Sequence, residues 1–171
     1  MKFDKDTYII EMRSMVDKAI ERMLVEKPDF EVYTISIWTD PNAGASAINF
    51  DSKAVSDRQV AKSNEWSKKY YDEYMAEGDL EQAKLFLPKT GRNCNPADFD
   101  LRNFEEITHS KIELNWEEDT NGKCWKMLEP ALKDIGIYTL TQIQKLKLHE
   151  EFELAVNGKR DWYEFTWKIK K

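Results

Sequence analysis

Cysteine is nearly missing from this sequence: Cys94 and Cys124 are the only two. That is too few for a scaffold stapled by disulfides, and both read as free thiols in a reducing compartment. Histidine is as scarce, and His109 and His149 lie far from each other and from either cysteine, so no zinc-ligand spacing forms. Six glycines build neither a phosphate-cradling loop nor a nucleophile elbow. The twelve-residue calcium-loop pattern is absent too. No apolar run approaches the ~20 residues of a membrane span. The polar opening Met1-Lys2-Phe3-Asp4-Lys5-Asp6 lacks the apolar core of a secretory signal. These absences lead to the expectation of a cytoplasmic chain without metal or cofactor, and not an enzyme.

What is present is core material. Six Trp, seven Tyr and eight Phe contribute to a hydrophobic share of 41% across 171 residues, enough to bury a sizeable core. The length suits one domain, residues 1–171. The net charge of -6 repels a phosphate backbone or an anionic membrane on average. Neither nucleic acid nor membrane is therefore expected as a partner, whereas a cationic protein would be attracted and steered.

Ile9, Met12, Val16, Ile20 and Met23 recur at helical spacing and predict a core-facing helix over 7–27, ended by Pro28. Tyr33, Ile35 and Ile37 alternate with Thr34, Ser36 and Trp38, predicting a strand over 31–39. The turn Asp40-Pro41-Asn42-Ala43-Gly44 leads to a second strand, Ala45 to Phe50, as an antiparallel hairpin. Ser56 with Gln59 reads as a capping box, and Val55 with Val60 as a hydrophobic staple, for a helix over 57–76. Trp66, Tyr70 and Tyr74 share one side of it. Gly78 breaks that helix, Asp79 with Gln82 restarts a short one, and Pro88 closes it; residues 89–97 read as loop.

From Asp98 to Ile112 two periods compete: Phe99 and Leu101 alternate, while Leu101, Phe104 and Ile107 recur every third residue. The alternation favours a strand that gives way to irregular structure. Trp125, Leu128, Leu132 and Ile135 mark a helix in which Pro130 must kink the chain or occupy the first turn, with Gly136 as its terminator. Thr139 with Gln142, or Thr141 with Gln144, would cap a last helix. Beyond Leu148 the chain either continues that helix or forms a hairpin about Asn157-Gly158, and Asn-Gly between alternating runs favours the hairpin. The expected fold is α+β: a single domain with an antiparallel sheet and helices packed on it.

Charge is unevenly placed. Residues 98–119 hold Asp98, Asp100, Glu105, Glu106, Glu113, Glu117, Glu118 and Asp119 against Arg102 and Lys111, so this segment alone carries the net charge of the whole chain. Phe99, Phe104 and Trp116 are interleaved. Aromatics supply contact area and carboxylates supply steering for a basic protein partner. The expected partner-binding residues are Asp98, Asp100, Glu105, Glu106, Trp116, Glu117, Glu118 and Asp119, with no catalytic and no metal-binding residue. Paired carboxylates such as Glu105-Glu106 and Glu117-Glu118-Asp119 also suit hydrolysis, with or without a metal. An adaptor or structural subunit of an assembly is the third option.

The acidic segment from Asn95-Pro96-Ala97-Asp98 to Leu101-Arg102-Asn103-Phe104, and Gly122-Lys123-Cys124-Trp125 after Glu117-Glu118-Asp119, set in a small acidic aromatic-rich chain, resemble the immunity proteins of contact-dependent and polymorphic bacterial toxin systems. The resemblance covers the character of the whole chain rather than a fingerprint. It implies a domain that binds a cognate toxin, often a basic nuclease, and covers its active site without turnover.

Overall fold

Asp4 sets the start of the first helix. In the computed structural model, which describes residues 2–114, 119 and 121–169, the Asp4 carboxylate accepts the Thr7 N–H at 3.1 Å. That satisfies an orphan donor of the first turn, so α1 (Lys5–Glu26) begins ahead of the expected residue 7. Its stripe of Tyr8, Met12, Met15, Val16, Ala19, Ile20 and Met23 is buried, so the methionines fill core. Lys27 leaves helical geometry at φ -138°, as a residue before proline must.

The hairpin follows as expected: β2 (Val32–Asp40) pairs antiparallel with β3 (Ala45–Asp51), from Thr34 opposite Asp51 to Asp40 opposite Ala45. Gly44 turns the chain at φ +58°. The remaining elements are α2 (Lys53–Glu77), α3 (Leu80–Lys84), a 3-10 turn at Pro96–Asp98, β4 (Leu101–Thr108), α4 (Lys123–Gln142), a second 3-10 turn at Ile143–Lys145, β6 (Leu148–Val156) and β7 (Phe165–Lys168). Two very short strands, β1 (Lys2–Phe3) and β5 (Ile112–Glu113), pair with each other. The main sheet has the order β4-β3-β2-β6-β7. It is antiparallel throughout except where β2 runs parallel to β6. Helices α1 and α4 pack on it, and the α+β expectation holds. Among the described residues no helix is long and apolar enough to cross a membrane.

The core lies between these helices and one sheet face. Ile35, Ile37, Ile48, Phe50, Leu154 and Val156 meet Met12, Val16, Ile20, Leu128, Leu132 and Ile135, all essentially inaccessible to water. Each such side chain contributes about 1.5–3 kcal/mol by burial. The alternate positions Thr34, Ser36, Asn49 and Asp51 are buried as well, an unusually polar set for a buried face.

The ambiguous segment resolves as a bulged strand. Ile48 faces Glu105 and Phe50 faces Leu101, so β4 carries more residues than β3 between those two points. Asn103 takes φ +46°, the one positive φ outside glycine among the described residues. The three-residue recurrence of Leu101, Phe104 and Ile107 comes from this bulge, which returns Phe104 to the core side. Side chains of β3 satisfy the displaced backbone: Asn49 accepts the Asn103 N–H at 2.7 Å, and Asp51 accepts the Asp100 N–H at 3.1 Å.

Other local expectations are corrected. Ser56 lies inside α2 rather than capping it, and its hydroxyl accepts the Asn93 N–H at 2.8 Å. Gly136 sits within α4 because a larger residue would collide there: an added Cβ would come within 2.7 Å of the Trp167 ring. Pro130 is also interior to α4 and lies on its exposed side, where the carbonyl it deprives of a donor can turn to water. No last helix starts at Thr139, whose hydroxyl donates back to the Ile135 carbonyl at 2.8 Å as α4 continues. The C-terminal segment is a hairpin, β6 with β7, but it returns through residues 157–164 instead of a two-residue turn.

By its internal contacts the chain forms two compact units: Met1–Ser52 with Cys94–Lys171, which holds the sheet, and Lys53–Asn93, which holds α2 and α3.

Candidate functional site

The predicted acidic site is spread along its segment. Asp98 lies exposed in the 3-10 turn and accepts from the Asn95 side-chain amide at 2.7 Å; Asp100 is exposed and accepts the Ser52 hydroxyl at 2.8 Å. Glu106 is exposed on β4, an edge strand. Glu105 turns the other way, toward α1. Its side chain is 14% accessible and pairs with Arg22 at 2.7 Å and Lys18 at 3.4 Å. Arg22 also donates to the Phe104 carbonyl and lies over the Phe104 ring. Asp119 accepts the Cys124 N–H at 2.6 Å at the start of α4. Phe99 is buried, and Phe104 packs edge-on against Phe50. The expected contacts Trp116, Glu117 and Glu118 lie outside the described residues. Asp98, Asp100 and Glu106 thus offer exposed carboxylates, while Glu105 and Asp119 serve the fold.

One constellation has the residue types of a nucleophilic triad. His109 holds Ser46 Oγ at 2.7 Å through Nε2 and Glu11 Oε2 at 2.8 Å through Nδ1. A polar chain continues inward from Ser46 to Thr39 at 2.6 Å and on to Tyr8 Oη at 2.7 Å. Burial pushes the imidazole below its ordinary range against the pull of Glu11. Burial also opposes charge on Glu11, but hydrogen bonds from His109 and Ser110 outweigh it and hold that carboxyl below its usual range. The consistent state is a neutral histidine that donates from Nδ1 to a carboxylate and accepts the Ser46 hydroxyl at Nε2. Ser46 is 1% accessible and already engages Thr39 and His109. A nucleophile must present its oxygen to a substrate, and this one is enclosed. The chain ties α1, β2, β3 and the end of β4 together.

Neither cysteine forms a disulfide among the described residues; Cys94 is exposed and Cys124 buried. Burial first, and the Asp119 charge second, push the Cys124 thiol up to about 11, the opposite of nucleophile activation. Among the described residues no group of three or more His, Cys, Asp or Glu is placed to hold a metal ion.

The helical unit 53–93 shows a different surface. Trp66, Tyr70 and Tyr74 share one side of α2, as their spacing predicts. Phe86, arriving from beyond α3, stacks on Tyr70 at 5.4 Å and Tyr74 at 5.5 Å and lies 5.6 Å from Trp66. Asp79 makes the restart possible by accepting the Gln82 N–H at 3.1 Å, after Gly78 at φ +77°. Next to the stack runs an apolar groove of about 600 Å³ between the Ala61–Asp72 stretch of α2 and the Phe86–Pro88 segment. Leu87, which lines it, is 55% accessible, and elsewhere in the same unit Trp66 (57%), Leu80 (55%) and Leu85 (72%) are more than half accessible and Met75 is exposed too. Asp72, Glu73, Glu77, Asp79 and Glu81 follow in sequence, with no base between Lys69 and Lys84. Acids interleaved with aromatics were therefore legible here as well as at 98–119. The short span and the neutral balance of its flanks hid them from a count taken over a longer segment.

Comparison with protein-family models, with curated proteins and with solved structures gives no match to this chain.

Proposed function

We propose that this chain is a protein-binding domain that works by occupancy rather than turnover, in the manner of an immunity protein covering a basic toxin, and that the α2–α3 unit carries its contact surface. The carrying observation is the exposed apolar and aromatic group Trp66, Met75, Leu80, Leu85 and Leu87, set beside a run of carboxylates. Scattered exposed leucines are ordinary; five exposed large apolar side chains within one small unit, one of them lining an apolar groove, support an interaction role for that unit. Trp66 has the residue type that dominates interface energetics, and the carboxylates provide steering and orientation for a cationic partner.

The test is co-expression with the product of the adjacent gene, followed by size-exclusion chromatography and calorimetry on the isolated pair. A stoichiometric complex is expected, weakened about 30-fold or more by Trp66→Ala or Leu87→Asp, the scale of a hot-spot residue. A complex indifferent to both variants but lost on Asp98→Lys with Glu106→Lys moves the contact surface to the head of β4. No complex with any basic protein encoded nearby defeats the proposal.

A further inference from the structure

We infer that the sheet-bearing unit carries a second site, on the sheet face turned away from the core, that binds an aromatic ring bearing a single carboxylate. It shares no residue with the α2–α3 surface and goes beyond the protein-binding reading.

The bulge in β4 builds one wall. Leu101 and Phe104 both pack against the core, so the two residues between them, Arg102 and Asn103, are left to the opposite face. Strict alternation would send one of the two inward. Asn103 takes φ +46° in the process, a backbone state that gathers at binding sites when a residue other than glycine holds it. Trp38 reaches the same face from β2, because its neighbour Ile37 points into the core. Together with Trp162 these side chains line a cavity of about 480 Å³, within the size range of small-molecule sites.

The β6–β7 connection supplies the other wall, and this is what its extra length carries. Three hydrogen bonds hold it: Gly158 N–H to the Asp161 carbonyl at 3.0 Å, Arg160 N–H to the Glu164 carboxylate at 2.8 Å, and Tyr163 N–H to the Asp161 carboxylate at 3.0 Å. Trp162 leaves this connection to stand edge-on to Trp38, with ring centroids 5.8 Å apart and planes at 84°. It is nevertheless 51% accessible. Two indoles at a right angle form a corner that offers a flat ring one face to stack on and one edge to abut. Both walls are set before a ligand arrives, which lowers the ordering cost of binding.

The hydrogen-bonding capacity left over in the cavity is mostly donor. Asp40 also lines it, but its Oδ1 already accepts the Asn42 and Ala43 N–H groups at 2.9 and 3.2 Å. Asn95 is committed as well, accepting the Ala97 N–H at 3.3 Å and donating to Asp98 at 2.7 Å. Arg102, by contrast, is exposed, and its guanidinium makes no ion pair or hydrogen bond among the described residues. The indole N–H groups of Trp38 and Trp162 are equally unengaged there. A guanidinium is a planar fork of donors that a carboxylate matches with two parallel bonds. One arginine balances one negative charge, and the Asp40 and Asp98 carboxylates oppose a second. Ring corner and unspent arginine together therefore select an aromatic monocarboxylate.

The probes are indole-3-acetate, its uncharged counterpart indole-3-acetamide, the cationic tryptamine, and acetate, which has the charge without the ring. Binding to the intact chain is measured by calorimetry, and located by amide and indole N–H chemical shifts. Indole-3-acetate is expected to bind with a Kd of about 1 mM or tighter, ordinary for a ligand of its size, with shifts centred on Trp38, Arg102, Asn103 and Trp162. The other three should bind at least about tenfold more weakly, the scale of a lost charged hydrogen bond or ring contact. Arg102→Gln, at an exposed site, should weaken indole-3-acetate about tenfold or more without lowering the melting temperature, and Trp162→Ala should weaken it similarly. The peptide Gly-Gly-Trp with a free C-terminal carboxylate separates two sources of this chemistry: tighter binding than indole-3-acetate points to the C-terminus of a protein, weaker binding to a free small molecule. No binding of any probe overturns the inference. So do equal binding of the acetamide, shifts lying elsewhere, or indifference to Arg102→Gln. Trp66→Ala and Leu87→Asp should leave indole-3-acetate binding unchanged, so this site and the α2–α3 surface stand or fall separately.

Discussion

Replacing Asn157 by alanine should cost more stability than any surface position in the chain. The side chain is 2% accessible and acts as a substitute strand residue where β6 ends: Oδ1 accepts the Thr39 N–H at 3.0 Å, and Nδ2 donates to the Thr39 carbonyl at 2.9 Å. Thr39 is itself fully buried. Alanine therefore leaves one backbone donor and one backbone acceptor without partners in a dry place. An unsatisfied buried group costs about 1–3 kcal/mol, so the pair sums to about 2–6 kcal/mol. Asn157→Asp separates the two halves of the effect. The carboxylate can still accept from Thr39 N–H, but it faces the carbonyl with like partial charge and adds a buried negative charge, so it should be no better than alanine. Urea denaturation at neutral pH, followed by circular dichroism, measures both. A loss below about 0.5 kcal/mol for Asn157→Ala, the size of a typical surface effect, would show that water replaces the amide without cost and would refute the reasoning.

Three further perturbations follow from the same geometry. Phe86→Ala should destabilise the 53–93 unit by about 2–4 kcal/mol, through lost apolar area and lost ring contacts with Tyr70 and Tyr74; hydrogen exchange should accelerate across α2 and α3 while the sheet amides stay protected. Acidification should weaken the fold through His109. Its folded pKa lies below the ordinary 6.5 because of burial, so the unfolded chain takes the proton first. The stabilisation is complete above about pH 6.5 and is lost as pH falls through the folded value, at up to about 1.4 kcal/mol per pH unit. His109→Gln should flatten that segment of the urea-midpoint profile, leaving the loss that begins below the ordinary range of Glu11. Gly136→Ala sets a helix-propensity gain of about 1 kcal/mol against overpacking on Trp167 of about 1–3 kcal/mol. The 2.7 Å approach to a large ring makes the collision win, and a lowered melting temperature is the expected readout.

Periodicity is legible in a sequence where one element faces one environment, and that explains which parts of this fold it reveals. α1 and the β2–β3 hairpin show their periods without interruption, and they fold as read. β4 does not, because its bulge at Asn103 mixes a period of two with a period of three within eight positions. Gly136 and Ser56 mislead for a different reason. Both are local signals, a helix terminator and a helix cap, recruited by distant neighbours: Trp167 demands a residue without Cβ, and the Asn93 N–H demands a hydroxyl. Asn157-Gly158 predicts a hairpin and a hairpin forms, but Asn157 is there to serve Thr39 across the sheet. No propensity encodes a partner more than a hundred residues away.

The candidate site obeys the same logic one level up. A charge count along the chain finds Glu105 and Asp119 as readily as Asp98 and Asp100, because it cannot see which carboxylates α1 and the start of α4 consume. Arg22 reaches Glu105 from α1, far away in sequence, and its neutralisation is invisible until the helix lies over β4. On α2 the reverse holds. The ion pairs there are i,i+4 neighbours, Lys68 with Asp72 and Lys53 with Asp57, so their partners are close in sequence. Glu77 has no lysine or arginine three or four residues away, and Glu73, with Lys69 four residues before it, makes no ion pair among the described residues. A short run of unpaired acids on a helix end that its own dipole disfavours is thus more informative about binding than a longer acidic segment whose members the fold has already put to use. The decisive comparison is the binding loss on reversing Glu73 and Glu77 against that on reversing Asp98 and Glu106.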